Sequence, residues 1–253
     1  MSQQISLNTD IGEGFGSWQI ADDEALLQLA TDANLACGAH ASDPDIMRRT
    51  CEVAAERGIT IGAQVGYFDL RGFGRRFIEM DPVSLTNDVL YQIGALSAFT
   101  AAAGIDIGYL KIHGALDHAA IARPDYALSI IDAARISNPA MPLVCQPGTP
   151  LARAAEEAGM TVIPEGYIDR AYTSDGLLVP RGTPGALVTD PAVCAQRAVQ
   201  FATTGTVTTI DGVTIEVPAR SVCIHSDSPG SVEIARAVRA ALQESGLDLR
   251  PLG

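Results

Sequence analysis

Seven short runs of β-forming residues alternate with longer segments of helical spacing along the 253-residue chain. The runs are Ile5–Asp10, Ala33–Cys37, Thr60–Val65, Gly108–His113, Pro142–Gln146, Thr161–Pro164 and Ser221–His225. Several are almost wholly apolar, as befits parallel strands covered on both faces. The helices carry their own punctuation. Asp43-Pro44 supplies an N-cap and a first-turn proline, Met47, Cys51 and Ala54 follow helical spacing, and Gly58 stops the helix. The same logic marks helices over 82–103, 150–158, 191–203 and 231–245, each closed by a glycine or preceded by Asp-Pro. Strand and helix in alternation predict parallel βα units. Seven or eight such units predict an α/β barrel with its active site at the C-terminal ends of the strands.

One segment breaks the rhythm. Thr206–Ile210, Asp211-Gly212 and Val213–Val217 read as a β-hairpin with an Asp-Gly turn, inserted before the last strand. With no linker, low-complexity tract or repeat in view, we expect a single barrel domain over 1–253. A chain of this size, 47% hydrophobic, can bury enough surface to need neither disulfides nor a structural metal.

Charge and cysteine use narrow the function classes. The formal net charge of −13 argues against nucleic acid as a partner and against an anionic membrane surface. The five cysteines are odd in number and form no CxxC pair, which suits a reducing, cytoplasmic compartment. The start, Met-Ser-Gln-Gln-Ile-Ser-Leu, has neither the basic nor the apolar region of a signal peptide. Val89–Ile105 is the longest uncharged stretch, but its Gln, Ser, Thr and Gly residues suit a buried helix rather than a membrane span.

The chemistry-bearing residues gather at strand ends. Asn8 and Asp10 are two apart on the first strand and share a face, and Glu13 follows in a glycine-rich turn. His40 follows the second strand and can serve as base, metal ligand or structural donor. Lys111 is the chain's only lysine, two residues before His113 in an otherwise apolar strand. Solubility does not explain a lysine there; a buried ammonium needs a partner or a lowered pKa. His225 and Asp227 end the last strand, so three of the four histidines close three different strands. His118 and Asp43 read as a surface residue and a helix cap. Arg71, Arg75 and Arg76 lie among glycines, where arginine forks suit a carboxylate or phosphate or form surface ion pairs. Glu165, Asp169 and Arg170 follow the sixth strand. No P-loop, dinucleotide fingerprint or GxSxG elbow is present.

These strand-end segments resemble the LamB/YcsF family. The resemblance rests on Leu7-Asn8-Thr9-Asp10-Ile11-Gly12-Glu13, Ala33 to His40, Gly72-Phe73-Gly74-Arg75-Arg76 and Lys111-Ile112-His113-Gly114-Ala115-Leu116. It extends to Asp169-Arg170-Ala171-Tyr172, Asp175 to Arg181 and Val222-Cys223-Ile224-His225, in order along nearly the whole chain. The chain departs from the family's usual pattern at several positions, among them Ala39 and Ser42 on either side of His40, where a phenylalanine and a glycine are usual. Gln64 stands where a histidine is usual after the third strand, Ile112 replaces a proline, and Asp117-His118 replace Tyr-Asn. Glutamine can hydrogen-bond there but supplies no proton or positive charge.

The resemblance implies a (β/α)7 barrel of the glycoside hydrolase/deacetylase type. It implies hydrolysis of the lactam 5-oxo-L-proline to L-glutamate, coupled to ATP with Mg2+, as the A component of 5-oxoprolinase with partner subunits B and C. Asp10, Glu13, His40, Lys111, His113 and His225 stand at family motif positions and are the candidate catalytic residues. Lys111 is our candidate for phosphate or oxyanion, His113 or His40 for the base, and Asp10 for orienting it or holding a metal. Asn8, Gln64, Arg75, Arg76, Asp169 and Arg170 are the candidate substrate-binding residues. Two other readings stay open on the same barrel. One is a metal-dependent deacetylase or amidohydrolase with Asp10, His40 and His113 as ligands. The other is a non-catalytic subunit that delivers a lactam to its partners, or a paralogue for a different lactam.

Overall fold

The computed structural model describes residues 4–252. The first three residues of the start discussed above, and both ends of the expected 1–253 domain, lie outside the described residues. The main strands are β1 (Gln4–Ile11), β2 (Asp32–Ala36), β3 (Thr60–Val65), β4 (Ile107–Ile112), β5 (Leu143–Cys145) and β6 (Val162–Tyr167). A short hairpin, β7 (Thr206–Thr208) and β8 (Thr214–Glu216), precedes β9 (Ser221–Ile224), and β10 (Asp248–Leu249) ends the series.

The strands are hydrogen-bonded in the order β10-β1-β2-β3-β4-β5-β6-β9, and β1 pairs with β9 as well. The β1–β9, β3–β4, β4–β5 and β6–β9 ladders are parallel. This is the strand order of the expected (β/α)7 barrel, with β10 added beside β1. The hairpin stands apart as an antiparallel pair, turned at Gly212 with φ 79°.

The helices begin where the side chains dictate. The first, α1 (Asp23–Leu27), is a single turn capped by Asp22. Asp43 accepts from the backbone N–H groups of Asp45 and Ile46, Pro44 opens α2 (Pro44–Arg57), and Gly58 closes it at φ 66°. Asp81 caps α3 (Pro82–Ala102) by accepting from Ser84, and Thr149 caps α6 (Pro150–Glu157) by accepting from Ala152. Asp190 accepts from Ala192 and Val193 at the start of α7 (Pro191–Thr204). Each such cap contributes on the order of 1 kcal/mol. The segment after β4 forms two helices, α4 (Gly114–Ala122) and α5 (Pro124–Ser137), broken at Pro124. The last is α8 (Ser231–Glu244). No helix among the described residues is long and apolar enough to cross a membrane. All five cysteines are buried free thiols.

By contacts the chain divides into two compact units. One comprises the residues up to Thr9, Ala21–Asp32 and Pro164–Leu252; the other comprises Asp10–Ile20 and Ala33–Ile163. The second unit buries Leu35, Ile61, Val65, Leu85 and Leu110 around β2, β3 and β4. The first buries Leu7, Phe201, Val222, Ile234 and Val238 around β1, β9, α7 and α8.

Candidate active site

In the Asp10–Ile163 unit, the ends of β1, β2, β3 and β4 bring Asp10, Glu13, His40, Gln64, Lys111 and His113 together, each at most 5% exposed. His40 and His113 stack face to face, with centroids 3.9 Å apart and planes 8° from parallel. The Nε2 atoms of His40 and His113 lie 3.9 Å and 3.6 Å from Glu13 Oε1. His40 Nε2 is also 3.2 Å from Gln64 Oε1. Among the described residues the Gln64 amide nitrogen and His40 Nδ1 are buried without a hydrogen-bond partner. Burial pushes the His40 imidazole down to about 4, and the Arg75 charge adds to the push against the hydrogen bond from His40 to the Gln64 carbonyl oxygen. The ring is therefore neutral at pH 7.

Backbone packs tightly around this pair of rings. A Cβ on Gly66 would come within 2.8 Å of His40 Nδ1, and one on Gly74 within 2.9 Å of His113 Nδ1. Gly66 is held by Gln92 on α3, whose amide accepts from its N–H and donates to its carbonyl, both at 2.9 Å. Phe73, in the left-handed region at φ 55°, sets its ring edge-on to both imidazoles. The Gly74 carbonyl accepts from Ala115 N–H at 2.9 Å, which fastens this loop to the start of α4.

Asp10 and Lys111 form a neighbouring pair. Lys111 Nζ lies 3.9 Å from Asp10 Oδ1, which also accepts from Asn34 at 2.9 Å. Asn34 in turn accepts from the Tyr109 hydroxyl at 2.7 Å. Gly62 is needed beside Tyr109, because any side chain there would run into the phenol ring. Asp10, named with His40 and His113 as a ligand only should a metal be present, is turned to Asn34 and Lys111. The carboxylate that faces the Nε2 atoms of both imidazoles is that of Glu13. A turn residue has displaced the strand residue, because the chain bends back at Gly12, at φ 69°.

The arginine cluster separates into different roles. Arg76 is ion-paired with the buried Asp69 carboxylate, which also accepts from Gly72 N–H. Arg75 is exposed, its guanidinium 4.9 Å over the Phe73 ring. His118 is exposed on α4, as expected, and Asp43 caps α2.

In the unit containing Pro164–Leu252, His225 Nδ1 lies 2.9 Å from Asp169 Oδ1. The Ser228 hydroxyl donates to the other carboxylate oxygen at 2.6 Å. Burial alone would push the Asp169 carboxyl up; the His225 charge and the hydrogen bonds from His225 and Ser228 outweigh it and hold it down at about 2. The Tyr167 ring stacks on His225 with centroids 5.5 Å apart. Arg197 fixes the segment that carries Asp169, donating to the carbonyls of Ile168, Arg170 and Thr208. Arg170 is buried and donates to the Val179 carbonyl at 2.7 Å. Asn8 donates to Glu165 at 2.7 Å and to Ser221 at 2.6 Å, deep in the same unit.

Sequence reasoning missed Asn34, Arg197 and Ser228. Asn34 had a signal, a lone amide inside an apolar strand. Arg197 reads as an ordinary helix residue, since its burial comes from the loop folded over it.

A family model described as the LamB/YcsF family matches residues 5–253. A protein of Nocardia farcinica, named as the A component of 5-oxoprolinase, is 53% identical over 243 residues, 96% of this chain and 97% of its own. One of the same name from Streptomyces avermitilis is 50% identical over 243 residues, again 96% and 97% of the two chains. The crystal structure of a lactam utilization protein from Thermus thermophilus superposes with a TM-score of 0.93 at 40% identity, covering 98% of this chain and 99% of that one.

Proposed function

The chain belongs to the LamB/YcsF family, and from that membership we propose that it is the A component of an ATP-dependent 5-oxoprolinase. In this reading it works with subunits B and C to open 5-oxo-L-proline to L-glutamate. The observation that carries the reading is the buried group of Glu13, His40, Gln64, His113 and the Asp10–Lys111 pair within one unit. It offers, close together, the groups that lactam opening needs.

A five-membered lactam is a stable amide that re-closes readily, so its opening gains from coupling to ATP. Transfer of the terminal phosphoryl group to the lactam oxygen releases ADP and leaves an imidate carbon open to water; after water adds, inorganic phosphate leaves with the former lactam oxygen and the C–N bond breaks as the ring nitrogen takes up a proton, giving glutamate. Lys111 supplies a fixed positive charge for the oxygens of the transferred phosphoryl group, and Asp10, itself held by Asn34, keeps it in place. Glu13, His40 and His113 activate the water. Gln64, with its amide nitrogen buried and unpartnered, donates to the substrate. His225 and Asp169 form a second proton-handling pair.

ATP and its Mg2+ enter as substrate. Mg2+ prefers oxygen ligands, which two imidazoles do not offer, so the ion travels with the phosphates. Arg75, exposed beside Phe73, is the cation we assign to an incoming anionic group. Arg76 serves the fold through Asp69. Five buried thiols support a cytoplasmic location. The second reading, a metal-dependent amidohydrolase acting without ATP, is favoured by one observation, the ligand-like grouping of Glu13, His40 and His113.

The test is glutamate release from 5-oxoproline by this chain with subunits B and C, with and without Mg-ATP. Release that requires both ATP and the partners supports the proposal. Amide hydrolysis by the chain alone without ATP moves the second reading forward. No release, with partners that work beside another family member in this chain's place, points to a different lactam.

A further inference from the structure

We infer that Glu13, His40 and His113 form a binding site for one divalent transition-metal ion of the zinc class. The inference concerns binding and stands whether or not 5-oxoproline is the substrate. One ligand atom from each residue lies within 4.8 Å of the others, and all three side chains are buried. Glu13 Oε1 is 3.6 Å from one Nε2 and 3.9 Å from the other. Those separations are too long for direct hydrogen bonds. They leave room for an ion between the groups at about 2.0–2.2 Å from each once the stacked rings turn so that both Nε2 lone pairs converge on it.

The surroundings favour the same assignment. Gly66 and Gly74 lie against the Nδ1 edges of His40 and His113 with backbone, and the Nε2 edges are the ones that face Glu13 Oε1. Two imidazoles and one carboxylate give three protein ligands, the number found in hydrolytic sites that keep a position open for water or substrate. Nitrogen donors select zinc or cobalt over manganese, magnesium and calcium. The Gln64 amide nitrogen, 1% exposed as a residue and unpartnered, sits beside His40 as a donor to whatever occupies that open position. Asp10 is excluded from the set because it already faces the Lys111 ammonium, whose charge repels a cation. When bound, such an ion supplies Lewis acidity and a water of lowered pKa.

The protein is freed of metal by chelator dialysis and titrated in parallel with Zn2+, Co2+, Mn2+ and Mg2+. Stoichiometry is read by elemental analysis and coordination by the visible spectrum of the Co2+ form. The expected result is one equivalent of Zn2+ or Co2+, bound at least about 100-fold tighter than Mg2+, with Co2+ absorption bands of mixed imidazole and carboxylate ligation. Glu13→Gln and His113→Gln should each weaken Zn2+ binding at least about 100-fold, with circular dichroism unchanged. His118→Ala, on the surface of α4, should leave binding as it was. Zn2+ bound no tighter than Mg2+, or uptake that survives both Glu13→Gln and His113→Gln, or that is lost in His118→Ala, overturns the assignment. Should those two variants fail to fold, the Co2+ spectrum of the unaltered protein decides: absence of ligand-field bands overturns it.

Discussion

The His40 and His113 imidazoles lie 3.9 Å apart and nearly parallel, although 73 residues of chain separate them. What presses them together is bare backbone at Gly66 and Gly74. Gly74 also has a φ of 64°, so a side chain there is strained as well as crowded. Gly74→Ala should therefore lower stability by about 1–3 kcal/mol and displace the ring pair, with activity falling further than stability. Gly94, inside α3 with nothing within 4 Å of its would-be Cβ, is the control. Gly94→Ala should stabilise the protein by up to about 1 kcal/mol. Denaturant unfolding of the two variants checks the contrast.

Lys111 and Asp10 are tested as a pair. Lys111→Met should reduce turnover at least about 100-fold, the scale of losing one preorganised charge-stabilising group. It should also cost roughly 3 kcal/mol, since a buried carboxylate loses its cation. Adding Asp10→Asn to Lys111→Met should return most of the stability and none of the turnover. A double variant that regained turnover would show that the lysine serves the fold alone.

Much of this was legible in the sequence, and the reasons are local. Asp43-Pro44, Asp190-Pro191 and the Asp211-Gly212 turn act on neighbouring backbone, so their helices and hairpin stand where expected. The lone lysine and the strand-end histidines could be singled out because their residue types are rare in this chain. The α4 and α5 pair was harder to delimit, because α4 is rich in alanine and apolar on most sides and only Pro124 marks the break. α1 has five residues and β10 two, too few for a periodic signal. The choice between Asp10 and Glu13 as partner of the histidines could not be read from spacing, since it depends on the bend at Gly12. Arg197 and Ser228 owe their roles to a loop that returns over them.

Asp32 gives a pH signature. Burial pushes its carboxyl up to about 6 against hydrogen bonds from Thr31, the Leu252 N–H and Ser6. Below the ordinary value of 3.8 the folded and unfolded chains are both protonated. Between about 4 and 6 the unfolded chain releases a proton that the folded chain keeps, so this contribution to stability is lost as pH rises and is constant above about 6. A two-unit shift corresponds to about 3 kcal/mol. Asp32→Asn should therefore improve, relative to the unaltered protein, by about that amount between pH 4 and pH 7. A stability difference between the two proteins that does not change with pH contradicts the assignment.

Asp169 is the positioning residue for His225. Asp169→Asn removes the negative charge beside His225 Nδ1 and turns one of its two acceptor oxygens into a donor, and should lower kcat by about 100-fold or more. KM should change little, because the carboxylate is buried and orients the imidazole instead of meeting substrate. Ser228→Ala should have a smaller effect in the same direction. Steady-state kinetics that placed the loss in KM would make Asp169 a binding residue.

The central claim is that the buried groups of this chain carry out the opening of the lactam and do more than deliver it. The direct measurement uses complexes assembled from subunits B and C with either the unaltered chain or His113→Gln, following glutamate and ADP separately after assembly is verified by size-exclusion chromatography. The account predicts that the His113→Gln complex assembles normally and forms glutamate at least about 100 times more slowly. Glutamate formation at the unaltered rate by that assembled complex would contradict it and place the chemistry on the partners.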